Sequence, residues 1–379
     1  MPAADAVQHG GQDGVVDTES FLAATCELLA VPSTSDRPND LDRALGMVLG
    51  FVGPGFQVER FESRGKPSAL VYRDAERPRF RVILNAHLDV VPGSPEQFRP
   101  RRAGLRLYAR GAQDMKVSAL VQAQVFRELA GHLPYPLGLQ LVTDEETGGR
   151  DGTRHQLEQG VSGEFVIIGE HSGLDIVTES KGIITATLRA AGRGGHGAYP
   201  WLGDNALVKL QRSLSNVLAA YPVPAGEAWR TTVNLARIQT SNTARNQIPA
   251  AAEAWLDIRF PPEDTDLNGK TAQQVAAYLA GFCESGVTPV VDHAEPPHRA
   301  DQDRPEVRNL QAAARNQGYH AGFLRKHGAG DARFYYQQGT DAVAFGIGGD
   351  GQHGPDEYAD ITTIEPYYQA LTEFLSNPG

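Results

Sequence analysis

The sequence predicts an α/β fold, a mostly parallel sheet flanked by helices, with an inserted βαββαβ unit. Three observations point there. Four short apolar runs rich in β-branched residues read as strands buried on both faces: 80–86 (FRVILNA), 137–143 (LGLQLVT), 164–169 (EFVIIG) and 342–347 (AVAFGI). A helix with apolar positions at Met115, Ala119, Leu120, Ala123, Val125, Phe126 and Leu129 separates the first two runs. Strands alternating with helices mean a sheet covered on both sides. The middle of the chain then changes to the split β-α-β-β-α-β order.

In chain order, residues 1–16 are small, polar and Gly-rich, and predict a flexible tail. A helix follows over 18–30, with Asp17 or Thr18 as cap and Pro32 past its end. Segments 17–180 and 295–379 form the larger domain. Its long helix spans 114–130, opened by Asp114. The inserted domain covers 181–294: a strand at 183–190, a Gly-rich loop, a helix at 205–220, strands at 232–238 and 251–260, a helix at 271–284 and a strand at 288–292. A helix near 304–317 and the last strand complete the larger domain.

The chain has 379 residues, 35 Lys+Arg and 46 Asp+Glu, for a formal net charge of −11. That acidity argues against nucleic acid and anionic membranes as partners, since both need a basic footprint. No apolar run reaches the ~18 residues of a membrane span. The N-terminal residues carry neither a basic region nor an apolar stretch, which predicts no secretory signal. Cys26 and Cys283 are far apart in sequence and in no metal-type spacing, which suits reduced thiols in a cytoplasmic protein.

The chemistry-bearing candidates are His87 and Asp89, Asp114, Glu145 and Glu146, Glu170, and His353. His87, the Glu pair and Glu170 each follow an expected buried strand, and His353 follows the fourth. Sites in open α/β sheets form at the carboxyl ends of the strands. Carboxylates and imidazoles converging there call for a cation, and that donor set suits zinc. Asp114 is the natural bridge between two metals, leaving one His and one acid for each. If Glu146 binds metal, Glu145 is free as general base for an attacking water. Asp89 can accept the His87 ring N–H and fix its tautomer. Taken singly, each residue has a bland reading: a solvated Glu-Glu loop, a helix N-cap at Asp114. Their joint placement favours the site.

With these motifs the chain resembles the dinuclear-zinc amidohydrolases and metallopeptidases that include acetylornithine deacetylase, succinyl-diaminopimelate desuccinylase, glutamate carboxypeptidase and the aminoacylases. The motifs are His-Leu-Asp at 87–89, Gly-x-x-Asp-Met-Lys at 111–116, Asp-Glu-Glu-x-Gly-Gly at 144–149, Gly-Glu at 169–170 and His-Gly-Pro-Asp-Glu-Tyr at 353–358. The resemblance runs from about residue 18 to the C-terminus. It implies a zinc-peptidase-like catalytic domain, a cis peptide after Asp114, and two Zn2+, with Co2+ or Mn2+ as substitutes. It implies that His87, Asp114 and Glu170 hold one metal and Asp114, Glu146 and His353 the other. It also implies that the inserted ferredoxin-like unit is a lid and a homodimer contact. His196 would then reach the partner subunit's site and hold the oxyanion, while Arg259, Asn246 and Gly328 contact substrate. Arg259 otherwise reads as a strand-edge ion pair.

Two departures stand out. Where many relatives have Gly-Glu-Pro, this chain has Gly169-Glu170-His171. The desuccinylase segment Gly-Thr-Ser-Asp-Gly-Arg-Phe appears as Gly328-Ala329-Gly330-Asp331-Ala332-Arg333-Phe334, without its hydroxyls. The expected function is hydrolysis of an amide in a small N-acyl amino acid or short peptide with a free carboxylate. Two other readings compete. A catalytically silent relative would lack the base or a ligand, and none is missing. A nucleotide-binding oxidoreductase could use the G-x-G-x-x-G at 192–197, but no helix pattern follows it.

Overall fold

In the computed structural model, which describes residues 18–378, helices α1 (Thr18–Leu29) and α2 (Pro38–Val52) precede a hairpin, β1 (Gln57–Ser63) and β2 (Lys66–Tyr72). There follow β3 (Phe80–His87), α3 (Val117–Leu129), β4 (Leu137–Val142), α4 (Thr153–Glu158), β5 (Gly163–Ile168) and β6 (Ile176–Ser180). The middle segment is β7 (Gly182–Ala191), α5 (Ala206–Ala220), β8 (Thr232–Gln239), β9 (Ala251–Phe260), α6 (Ala272–Ala280) and β10 (Val287–Glu295). The chain closes with α7 (Pro305–Asn316), β11 (Phe323–Lys326), α8 (Ala332–Gln337), β12 (Asp341–Ala344) and α9 (Ile364–Ser376).

The large sheet has nine strands. Its order is β1-β2-β4-β3-β5-β12-β6, with His298–Arg299 at the far edge and β11 also pairing with β6. The four apolar runs supply its centre: β4, β3, β5 and β12 are mutually parallel. Every residue of β4 is buried, which its continuous apolar sequence requires. The hairpin β1–β2 lies outside the expected strands. β1 has no buried residue, so no apolar run marks it. The second sheet, β8-β9-β7-β10, is antiparallel throughout. Its residues, with α5 and α6, form a hydrophobic cluster distinct from the one around α3 and the large sheet.

Several expected boundaries change. The tail at 1–16 and the Asp17 cap lie outside the described residues. The long helix starts at Val117, so Asp114 does not open it. Asp114 (φ −126, ψ 93) and Met115 (φ −135, ψ 29) are non-helical, and the peptide between them is cis. The backbone N–H groups of Gln113 and Asp114 donate to the Glu357 carboxylate, at 3.2 and 3.3 Å. α6 begins with a Thr271–Gln274 capping box and stops before Gly281, four residues short of the expected end.

Candidate active site

Strand register places the first ligands. β3 and β5 pair Asn85 with Ile168, so His87 and Glu170, two residues further on, come out level. β3 and β4 pair His87 with Val142, which brings the next turn, with Glu145 and Glu146, alongside. His87 Nε2 lies 3.0 Å from Asp114 Oδ1 and 3.2 Å from Glu170 Oε1. His353 Nε2 lies 3.4 Å from Asp114 Oδ2 and 3.2 Å from Glu146 Oε2. Asp114 therefore turns one oxygen to each imidazole. Gln352 also donates its side-chain amide to Asp114 Oδ2.

Asp89 differs from expectation. Its carboxylate lies 3.6 Å from His87 Nδ1, too far for a hydrogen bond. The nearer acceptor is the Asp89 backbone carbonyl, at 3.1 Å. The carboxylate instead accepts the backbone N–H of Glu145 at 3.2 Å and of Glu146 at 3.0 Å. It fixes the turn that carries both glutamates.

Electrostatics follow from crowding. Burial presses the His87 ring down, but Asp114, Asp89 and Glu170 push its pKa well above the usual value. Burial, with Asp331 and Glu170 nearby, pushes Glu145 well above the ordinary carboxylate range. Burial, with Asp114 adding, takes Glu146 to about 7. Burial also presses Asp114 up, yet His353 and His87 hold it well below its usual value.

This donor set fits a pair of divalent metals. Ligand atoms of His87, Glu145 and Glu170 lie within 4.8 Å of one another, as do those of Asp114, Glu170 and His171, and those of Asp114, Glu146 and His353. Two imidazoles and several carboxylates crowded on one sheet edge are stabilised by such charge. Two dications held there by His87, Asp114, Glu146, Glu170 and His353 would supply Lewis-acid chemistry for a hydrolysis.

Beside these groups opens a cavity of about 820 Å3, lined also by Arg259, Lys326, Gly328 and Arg333. Arg259 lines it while paired with Asp257, Nε at 2.7 Å and Nη2 at 3.1 Å from the carboxylate. The ion pair is thus present, on a side chain that also lines the cavity. Of the chain's own residues, His196 and Asn246 are not brought there. They sit exposed on neighbouring segments of the middle unit, where Gly197 N–H donates to Asn246 O at 2.7 Å.

Other residues that support the cluster escape sequence reasoning. Glu357, inside the 353–358 motif, pairs with the buried Arg110, which also donates to the His353 carbonyl at 3.0 Å. Arg333 donates to Gly148 O at 2.6 Å, holding the Glu145–Glu146 turn from the other side. His171 Nδ1 lies 3.5 Å from Glu170 Oε2. The charge of Glu357 and the His171 departure were visible; their partners were not.

A mostly parallel sheet ending in paired imidazoles and carboxylates defines a metal-dependent hydrolase. Residues 83–377 match the model of Peptidase family M20/M25/M40, and the chain belongs to that family. It is 28% identical over 400 residues to a probable carboxypeptidase of Emericella nidulans, covering 96% of this chain and 90% of that one. It is 31% identical to a succinyl-diaminopimelate desuccinylase of Acidiphilium cryptum, covering 89% and 93%. Among solved structures, aminopeptidase PepT from Bacillus cereus superposes with a TM-score of 0.76 at 17% identity, covering 96% and 99%. An M20 metallo-carboxypeptidase from Sulfolobus solfataricus gives 0.74 at 18% identity, covering 94% and 98%. Among the described residues, no helix is long and apolar enough to cross a membrane.

Proposed function

We propose that the protein hydrolyses the amide bond of a small N-acyl amino acid or short peptide bearing a free carboxylate. The observation that carries this reading is the junction at Asp114, which faces His87 with one oxygen and His353 with the other. Glu145 stands beside the same cluster. His87, Asp114 and Glu170 would hold one metal, and Asp114, Glu146 and His353 the other. Zinc is the preferred ion, with cobalt or manganese as substitutes.

Glu145 takes a proton from the attacking water and returns it to the leaving amine. Asp89 positions Glu145 and Glu146 through their backbone amides. Arg259 and the Gly328 backbone contact the substrate. The unit 181–294 acts as a lid on the catalytic segments 17–180 and 295–379, and as the contact of a homodimer. His196 of the partner subunit then supports the oxyanion, with Asn246 beside it. The setting is cytoplasmic.

The test is a panel of N-acyl amino acids and dipeptides assayed with zinc-loaded enzyme and its Glu145→Gln variant. The variant should retain two metals and lose roughly 100- to 10,000-fold in kcat, the span of one general base. Undiminished turnover removes Glu145 as the base. No turnover of any panel member by the loaded wild type removes the substrate class.

A further inference from the structure

Five Lys and Arg side chains line the cavity among the described residues: Arg150, Arg259, Arg325, Lys326 and Arg333. Four of them have carboxylate partners outside the proposed metal ligands. Arg150 Nη2 lies 2.6 Å from Glu295 Oε1. Arg259 forms its double contact with Asp257. Arg325 Nε lies 3.2 Å from Glu179 Oε2. Arg333 Nη1 lies 3.8 Å from Asp331 Oδ1.

Lys326 is different. Its Nζ lies 3.6 Å from Glu170 Oε2 and 3.5 Å from His171 Nε2. Its carboxylate partner is thus a residue that would hold metal. Glu170 turns its other oxygen, Oε1, to His87, 3.2 Å from Nε2, on the side where a metal would be held. Metal loading therefore withdraws the charge that Lys326 faces and leaves a half-buried ammonium in the cavity wall. A half-buried ammonium whose carboxylate partner is taken up by metal favours an anionic ligand. Just past it, Gly328-Ala329-Gly330 offers no side-chain hydroxyl or charge. Among the five cations lining the cavity, Lys326 is the one whose carboxylate partner is a proposed metal ligand.

We propose that Lys326 anchors the substrate's carboxylate and sets the preference for anionic substrates, a role that rests on the amide-hydrolase reading above. A flexible lysine stem can follow a carboxylate, which leaves Arg259, already engaged by Asp257, to contact the rest of the substrate.

The test compares zinc-loaded wild type with Lys326→Met and Lys326→Arg, after metal content and melting temperature show each to be folded and loaded. The first readout is kcat/KM for the best panel substrate divided by that for its carboxamide. Lys326→Met should lower this ratio about tenfold or more, the worth of one charge-assisted hydrogen bond, and Lys326→Arg should restore much of it. The second readout is calorimetric binding of glutarate, which needs no turnover and should weaken by a similar factor in Lys326→Met. A wild-type ratio and wild-type glutarate affinity in Lys326→Met overturn the proposal, as does a wild type that does not bind glutarate. Glutarate binding lost in Lys326→Met, with no amide hydrolysed by any form, would overturn the hydrolase reading and leave the anion site standing.

Discussion

Glu357 is the position where a single substitution should reveal how the cluster is held. Its carboxylate does three things. It pairs with Arg110 and receives the backbone N–H groups of Gln113 and Asp114. The side chains of Arg110 and Glu357 are only 3% and 1% exposed, so neither charge has water to fall back on. Glu357→Ala strands the Arg110 charge, a loss of about 3–5 kcal/mol for a broken buried pair. For a unit of some 250 residues, each kcal/mol shifts melting by ~2–4 °C, so metal-free protein should melt roughly 6–20 °C lower. Glu357→Gln keeps an acceptor for the two N–H groups but loses the charge, and should fall between. Metal affinity should drop as well, because Asp114 and His353 lose their backbone supports together. The assay is differential scanning calorimetry of metal-free protein with a parallel zinc titration. A Glu357→Ala melting temperature within about 2 °C of wild type would refute the argument.

His298 Nε2 donates to the Ala342 carbonyl at 2.5 Å, and burial lowers its pKa to about 4. A ring kept neutral when folded but free to protonate when unfolded contributes fully above pH 6.5. That contribution, about 3 kcal/mol, is lost as pH falls from 6.5 to 4. His298→Gln should flatten this limb of a melting-temperature profile, and parallel limbs would remove His298 as its source. A Cβ on Gly149 (φ +64) would come within 2.0 Å of Asp331 Oδ1, whereas one on Gly148 (φ +110) meets nothing within 4 Å. Gly149→Ala should therefore lower kcat and melting temperature well beyond Gly148→Ala; equal effects on both would show that the contact with Asp331 is unimportant. Chelation should abolish activity and lower the melting temperature, with both restored by zinc. At metal near 1,000 times Kd the stabilisation is about 4 kcal/mol per site, and an unchanged melting curve would argue against metal in the cluster.

The central strands were legible because burial on both faces leaves a continuous apolar run, and His87, Glu146 and Glu170 because they sit one to three residues past those runs. β1 was not, since an exposed edge strand carries no such run. The start of α3 was misplaced because Met115 fits the helical apolar pattern while the Asp114 and Met115 backbone does not follow it. What sequence could not supply were partners brought together by folding. Arg110 and Glu357 are 247 residues apart, and Lys326 and His171 are 155 apart. The role of Asp89 changed for the same reason: its nearest donors are amides 56 and 57 residues away.

The pairing of Ile183 with Glu295 has a topological consequence. The chain leaves the large sheet after Ser180 and returns at His298, so the middle unit is tethered by two neighbouring connections. Such a unit is a cassette: the chain enters and leaves it side by side, at Ser180 and His298, so the nine-stranded sheet is threaded without it. The strands whose ends carry His87, Glu146 and Glu170 pair with one another outside this unit, so their register is set independently of it.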